Sequence, residues 1–313
     1  MTRDSVRRGL ALGCGGTLGF AWSVVALDLI EQALGWDARA ATAITGTSAG
    51  AELAAMLGSG ISTTDIRTAL QGAGGDARVA THLAYHPGRF PPLPAPALPR
   101  FGLAAGLLTG RTQPLIGGSA FLPRGRGDAS WLRAFGDLLQ NENGWVDHPA
   151  TWMIAADVRT GERVVLGADS AGSLGDALAA SWGIPGWFPP VRIGERDLMD
   201  GGAFSTASAD LLLDADVDEV VILAPMTSHG GATARGWARA ERLLRAAMTK
   251  RLDAEVAVLE KAGVRVIRIE PSPAELDAMG PNFMEVRRRE ATIAAASTAL
   301  PTTIRTILQG AKA

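Results

Sequence analysis

The sequence predicts an α/β fold: one domain over residues 1–313, with a mostly parallel central sheet flanked by helices and a Pro/Gly-rich insertion at about 73–127. Three observations predict it. Short apolar runs alternate with helical patterns along the chain, the order that joins parallel strands through crossover helices. One run, Val220-Val221-Ile222-Leu223, is uninterrupted, as in a strand buried on both faces. Two strand–turn–helix units carry glycine-rich turns, over Gly9–Gly19 and Ile44–Gly50.

Gly9–Leu12 reads as the first strand. A helix follows from about Phe20 to Leu34, with Val24, Leu27, Ile30 and Leu34 on one face. Ala41–Thr45 is the second strand, and Ala49–Gly58 the helix behind it. Thr63–Gln71 makes another helix, capped by Ser62 or Thr63 with Asp65 in its first turn. The insertion carries Pro87, Pro91, Pro92, Pro94, Pro96, Pro99, Pro114 and Pro123, with one short helix expected near Gly102–Leu108. Phe90, Leu93, Leu103 and their apolar neighbours fit either a lid over a site or a loop packed by its own hydrophobics.

Asp128–Leu139 is helical, and Thr151–Val158 with Arg163–Leu166 reads as a hairpin closed at Gly161. Ser173–Trp182 is a helix, and Ile184–Val191 a rigid Pro-rich turn into the core. Arg196–Met199 is a short strand ahead of Asp200-Gly201-Gly202, and Glu219–Pro225 is the buried strand. The remainder predicts one long or broken helix over 232–262, a strand at Val264–Ile269, and helices at Pro273–Met279 and Met284–Leu300. Pro301 is expected to interrupt before a final piece ending at Leu308.

Composition narrows the function classes. Hydrophobic residues at 47% and charged residues at 20% suffice for a sizeable core. A net charge of −2 gives no footprint for nucleic acid, and Arg287-Arg288-Arg289 reads as the solvated end of a helix. Cys14 is the one cysteine, so no intramolecular disulfide forms and a reducing compartment suits the chain. The first eight residues are polar and basic, and glycines at 13, 15, 16 and 19 break up the apolar run that follows. That is not a signal-peptide pattern, and no uninterrupted apolar stretch reaches the ~18 residues of a membrane span. A cytoplasmic location is expected, with peripheral contact at a membrane surface compatible.

The chemistry centres on Gly46-Thr47-Ser48-Ala49-Gly50. Its G-x-S-x-G spacing is that of a nucleophile elbow, in which flanking glycines permit a sharp strand-to-helix turn and the serine stands exposed. The alternative is a helix N-cap, since serine is a preferred cap. Gly13-Cys14-Gly15-Gly16-Thr17-Leu18-Gly19 lacks the third glycine of a dinucleotide fingerprint, because Leu18 occupies that position. It reads as exposed backbone N–H groups at a helix N-terminus, able to hold a phosphate or an oxyanion, or as a structural glycine turn. A serine nucleophile needs a base. His82, His86, His148 and His229 all sit in undistinguished settings, with His229 after Asp200 matching the order serine, acid, histidine. Asp200 is the other candidate: a carboxylate that partial burial makes more basic, or a turn aspartate before glycine.

In combination, the glycine loop, Gly46–Gly50, Asp200-Gly201-Gly202 and the preceding Ile184-Pro185-Gly186-Trp187-Phe188-Pro189-Pro190-Val191 resemble the patatin-like phospholipase family over about residues 9 to 225. The resemblance implies a patatin-like fold and a dyad: Ser48 attacks an ester carbonyl, Asp200 takes its proton, and an acyl-enzyme is hydrolysed by water. It implies an oxyanion hole from Gly15 and Gly16, flanked by Gly13 and Thr17, with Gly46 and Gly50 forming the elbow and Gly201 and Gly202 the acid motif. The substrate is then a lipid or other acyl ester, and no cofactor or metal is called for. Two positions depart from the family pattern: Cys14 stands where a glycine is usual, and Leu18 where a basic residue is usual. The alternatives are a hydrolase of small esters with His229 as base, and a lipid-binding protein with the fold but little turnover.

Overall fold

The computed structural model describes residues 6–85, 87–95, 103, 117–229, 231, 236 and 238–310. Strand β1 (Arg8–Leu12) is an inner strand, buried from Gly9 onward because its residues carry no charge beyond Arg8. It pairs in parallel with β2 (Ala43–Thr47) on one edge and β7 (Glu219–Leu223) on the other. β2 continues to β3 (Thr151–Asp157) and β7 to β8 (Arg265–Ile269), again in parallel. The order is β5-β6-β3-β2-β1-β7-β8, with β4 (Arg163–Leu166) also on β3. β4, β6 (Arg196–Asp200) and β5 (Val191–Ile193) join antiparallel to their neighbours, so the largely parallel sheet has an antiparallel flank.

Helices cover both faces. α1 (Gly16–Leu34) begins within the glycine loop rather than at Phe20, and its Trp22, Val24, Val25 and Leu27 belong to the larger core. By length and composition α1 could cross a membrane, yet here its apolar window is mostly buried inside the fold. α2 (Ala49–Gly58) is buried throughout, behind β2. α3 (Thr63–Leu70) is capped by Ser62, whose hydroxyl accepts from Asp65 N–H. α5 (Ser130–Leu139) packs on α6 (Leu174–Ser181), which in turn lies on β3.

In the middle of the chain two elements differ from expectation. A helix inside the insertion, α4 (Ala77–Leu83), forms because Asp76 caps it through the N–H groups of Arg78 and Val79. Of the helix expected at Gly102–Leu108, only Leu103 is described, buried against Ala156 and Met199; the rest lies outside the described residues. Val191, expected to end a rigid turn, instead opens an edge strand over Val191–Ile193 that closes a hairpin with β6.

At the C-terminal side, α8 (Pro273–Met279) matches its predicted place, and α7 (Ala238–Lys261) ends where expected but begins after a turn at Gly236, residues 232–235 and 237 lying outside the described residues. α9 (Arg289–Gly310) starts later than Met284, after a 3-10 turn over Val286–Arg288, and runs through Pro301 without a break. An interior proline costs a helix about 3 kcal/mol. Ala296, Leu300 and Ile304 of α9 join the core with α1, and that burial on either side of Pro301 outweighs the lost hydrogen bond.

Candidate active site

Strand β3 brings the two candidate residues together. Its Thr151–Ile154 pair with Ile44–Thr47 of β2, and its Ala155–Asp157 pair with Asp200–Leu198 of β6. β4 pairs with Met153–Ala156, overlapping both sets. A strand has only two edges, so β4 holds one and β2 and β6 share the other, end to end. They run toward each other: β2 stops where Thr47 faces Ile154, and β6 stops where Asp200 faces Ala155. Ser48, the residue after β2, therefore meets the last residue of β6.

Ser48 has φ 55° and ψ −119°, a backbone conformation that non-glycine residues rarely adopt. A Cβ at Gly46 would strike the backbone of Gly50 and Ala51, and one at Gly50 would strike the carbonyl of Leu12, so the turn is closed tightly on both sides. Ser48 makes no side-chain cap to α2, which removes the N-cap alternative. Its side chain instead shares a cavity wall with Asp200, whose ionised form it favours. Ser48 is 2% exposed and Asp200 6%. The Asp200 carboxyl accepts the Gly202 N–H at Oδ1, 2.7 Å away, so the turn aspartate and the candidate base are one and the same group. Burial pushes the Asp200 carboxyl up from its ordinary 3.8 to about 7, against the opposing pull of the Gly202 N–H and the Ser48 side chain.

The glycine loop lies opposite. Gly13 N–H donates to Leu223 at 2.8 Å and Cys14 N–H to Thr206 at 2.8 Å, while Leu18 N–H donates to Phe283 at 3.0 Å. Among the described residues, the N–H groups of Gly15 and Gly16 between them have no protein acceptor. Gly16 has φ +57° and packs directly on Phe283 and Met284, which suits only a residue without a side chain. Cys14, Gly15, Gly16, Ser48, Asp200 and Gly202 all line one cavity of about 310 Å³. Its other walls are mainly apolar, including Leu122, Ile184, Met226, Leu244, Met248 and Phe283. Gly13 and Thr17 do not line it; Thr17 turns its hydroxyl to the carbonyl of Phe283. Cys14 does not have a positive φ, so the missing glycine costs the loop nothing. Burial and the nearby Asp200 raise its thiol to about 12, which keeps it protonated. Leu18 is fully buried in the core and lines no part of the cavity.

Residues 10–213 match the Patatin family, described as patatin-like phospholipase. The chain belongs to the patatin-like phospholipase family. Two curated relatives, uncharacterized NTE family proteins of Mycobacterium tuberculosis and Mycobacterium bovis, are 39% identical over 69 residues. That match covers 22% of this chain and 11% of theirs, so the chain spans a small part of the length of these curated relatives. Among solved structures, VipD from Legionella pneumophila aligns at 15% identity with a TM-score of 0.42, over 96% of this chain and 67% of that one. At family level the patatin-like match supports lipid acyl hydrolysis.

No described histidine reaches the cavity of this patatin-like site. His229 is exposed on another face, its ring 3.8 Å from Asp253. His148 bonds the carbonyl of Ala41 and the hydroxyl of Thr151. His82 is a core residue stacked on Phe135 at 3.7 Å with its Nε2 on Glu52, and His86 lies outside the described residues. Among the described residues no three His, Cys, Asp or Glu side chains cluster as metal ligands would. Arg289, expected to be solvated, instead lines a small cavity with Thr17, His82 and Trp182. Sequence reasoning missed Ser181. Its hydroxyl accepts the Ser48 N–H at 2.8 Å and donates to the Ile154 carbonyl at 2.7 Å. The only local signal was a serine in an otherwise apolar helix end, Ala179-Ala180-Ser181-Trp182-Gly183.

Proposed function

We propose that this chain hydrolyses carboxylic esters of lipids through Ser48 and Asp200. The observation that carries the reading is the sheet register that ends β2 and β6 on adjacent residues of β3, so that Ser48 and the buried Asp200 share the wall of one apolar cavity. Asp200 removes the Ser48 proton as Oγ attacks the ester carbonyl. The carbonyl oxygen, now negative, takes hydrogen bonds from the N–H groups of Gly15 and Gly16, at the N-terminus of α1 where the helix dipole also favours it. Collapse breaks the ester C–O bond, and Asp200 returns the proton to the leaving alkoxide. Asp200 then takes a proton from water, whose oxygen attacks the acyl-serine; collapse releases the fatty acid and restores the Ser48 hydroxyl.

A carboxylate is ordinarily a feeble base toward a hydroxyl. Raised to about 7, Asp200 has the basicity of an imidazole, which is why no histidine is needed. The cavity walls suit an acyl chain, each buried methylene contributing about 0.8 kcal/mol. Exposed Phe90, Leu93, Phe121 and Leu122 support entry from a lipid surface, since Leu122 also lines the cavity.

The test uses p-nitrophenyl esters with wild type, Ser48→Ala, Asp200→Asn and His229→Ala, each checked for folding. The first two variants lose at least about 10³-fold in kcat, and His229→Ala stays at wild type. A fluorophosphonate labels wild type at Ser48. Near-normal activity in Asp200→Asn, or no labelling of folded wild type, refutes the reading.

A further inference from the structure

We infer that Ser181 is the positioning residue of this site, its hydroxyl and the neighbouring Gly183 carbonyl holding Ser48 and Asp200 to one corner of the backbone. The inference rests on the proposed roles of Ser48 and Asp200. Ser181 is the last residue of α6 and is fully buried. Its Oγ donates to the Ile154 carbonyl at 2.7 Å, which commits its single proton, so the Ser48 N–H at 2.8 Å donates to its lone pair. Two residues on, the Gly183 carbonyl accepts the Asp200 N–H at 3.0 Å. Ile154 is the β3 residue that faces Thr47. One corner therefore touches the backbone of the nucleophile, the backbone of the base and the strand on which both chains end.

A reason for such a device is on hand. Ser48 sits at φ 55°, ψ −119°, a conformation that persists only where its surroundings over-determine it. Gly46 and Gly50 permit the turn; the bond to Ser181 holds the serine in it. The same bond occupies the Ser48 N–H, which leaves oxyanion binding to the glycine loop. Alanine at 181 would leave the buried Ser48 N–H without an acceptor and the Ile154 carbonyl without this donor. A displacement of about 1 Å in a reacting group can cost about 10²-fold in rate.

The experiment compares wild type, Ser181→Ala, Ser181→Cys and Ser48→Ala on a soluble butyrate ester, with melting temperature, kcat, KM and fluorophosphonate labelling rate for each. Ser181→Ala is expected to lower kcat about 30- to 100-fold with KM within about twofold, and to slow labelling in proportion. Ser181→Cys, which retains a weak donor and acceptor, recovers part of the kcat. A folded Ser181→Ala with wild-type kcat and labelling overturns the inference, as does a loss confined to melting temperature. Should Ser181→Ala not fold, Ser181→Cys decides: an intermediate kcat supports the inference and a wild-type kcat overturns it. If Ser48→Ala remained active, the proposed function itself would fail; if Ser48→Ala were dead and Ser181→Ala normal, only the positioning role would.

Discussion

Replacing Asp200 by asparagine should kill activity and stabilise the protein, and the second effect should depend on pH. Folding moves the Asp200 carboxyl from an ordinary 3.8 to about 7, chiefly through burial. Between those values the folded state holds a proton that the unfolded chain releases, so stability falls as pH rises through this window. The gap spans about three pH units at about 1.36 kcal/mol each, so ionised Asp200 costs the fold up to about 4 kcal/mol above pH 7. The amide of the Asp200→Asn variant would keep an oxygen for the Gly202 N–H without the buried charge. Urea denaturation of wild type and Asp200→Asn from pH 4 to pH 9 measures this, because titrating groups remote from Asp200 cancel in the difference and the Cys14 thiol stays protonated across the range. The variant should gain on wild type progressively between about pH 4 and pH 7, then hold a constant lead. The wild-type kcat/KM should show an acid limb near pH 7, where the base protonates. A stability difference that stays flat across the whole range would refute the desolvated carboxyl, and with it the argument that Asp200 alone is basic enough.

The glycine loop gives a matched pair of variants. Gly16 and Gly35 have nearly the same φ, +57° and +58°, but a Cβ at Gly16 would lie 2.6 Å from Phe283 Cδ2 whereas one at Gly35 meets nothing within 4 Å. Gly35→Ala should cost about 1 kcal/mol of stability in denaturation and leave kcat intact; Gly16→Ala should lose about 10²-fold in kcat as the oxyanion donor shifts, and equal kcat in the two would argue against that donor. In the cavity wall, Met248→Trp fills space that an acyl chain would take. Excluding three methylenes is worth about 2.4 kcal/mol, so the kcat/KM ratio of dodecanoate to butyrate ester should fall about 50-fold with butyrate little changed; an unchanged ratio would move the acyl chain elsewhere.

What was legible in the sequence was local. A strand, a glycine-flanked turn and a helix follow one another within a few residues at Leu12–Gly19 and at Ile44–Gly50, and each structural reading depends only on neighbours. β5 escapes such a reading because Val191-Arg192-Ile193 is three residues long behind two prolines, too short for its alternation to register. Pro301 misleads because local propensity says nothing of the core that α9 shares with α1. Leu18 draws attention as an altered loop residue, but it belongs to the first turn of α1 and faces the core, so its identity is a packing matter. Ser181 is invisible for a different reason: its two partners lie 133 and 27 residues away.

The arrangement also bears on how the proposed Ser48–Asp200 site would dispense with a histidine in positional terms. An imidazole on a long loop can be aimed by a third group, as in triads. Asp200 has a short side chain, oriented by the Gly202 N–H of its own turn, so its carboxyl faces Ser48 only if its backbone is already in place. The fold supplies that by sheet register: β2 and β6 end against consecutive residues of β3, Ile154 and Ala155. Register errors in a sheet come in whole residues and turn every side chain to the other face. A slip of β6 against β3 would therefore bury Asp200 on the wrong side and disrupt Leu198 and Met199, both now fully packed. The hydrophobic pattern of Leu198-Met199 thus protects the geometry of the site, and the base is aimed by the same burial that raises its basicity.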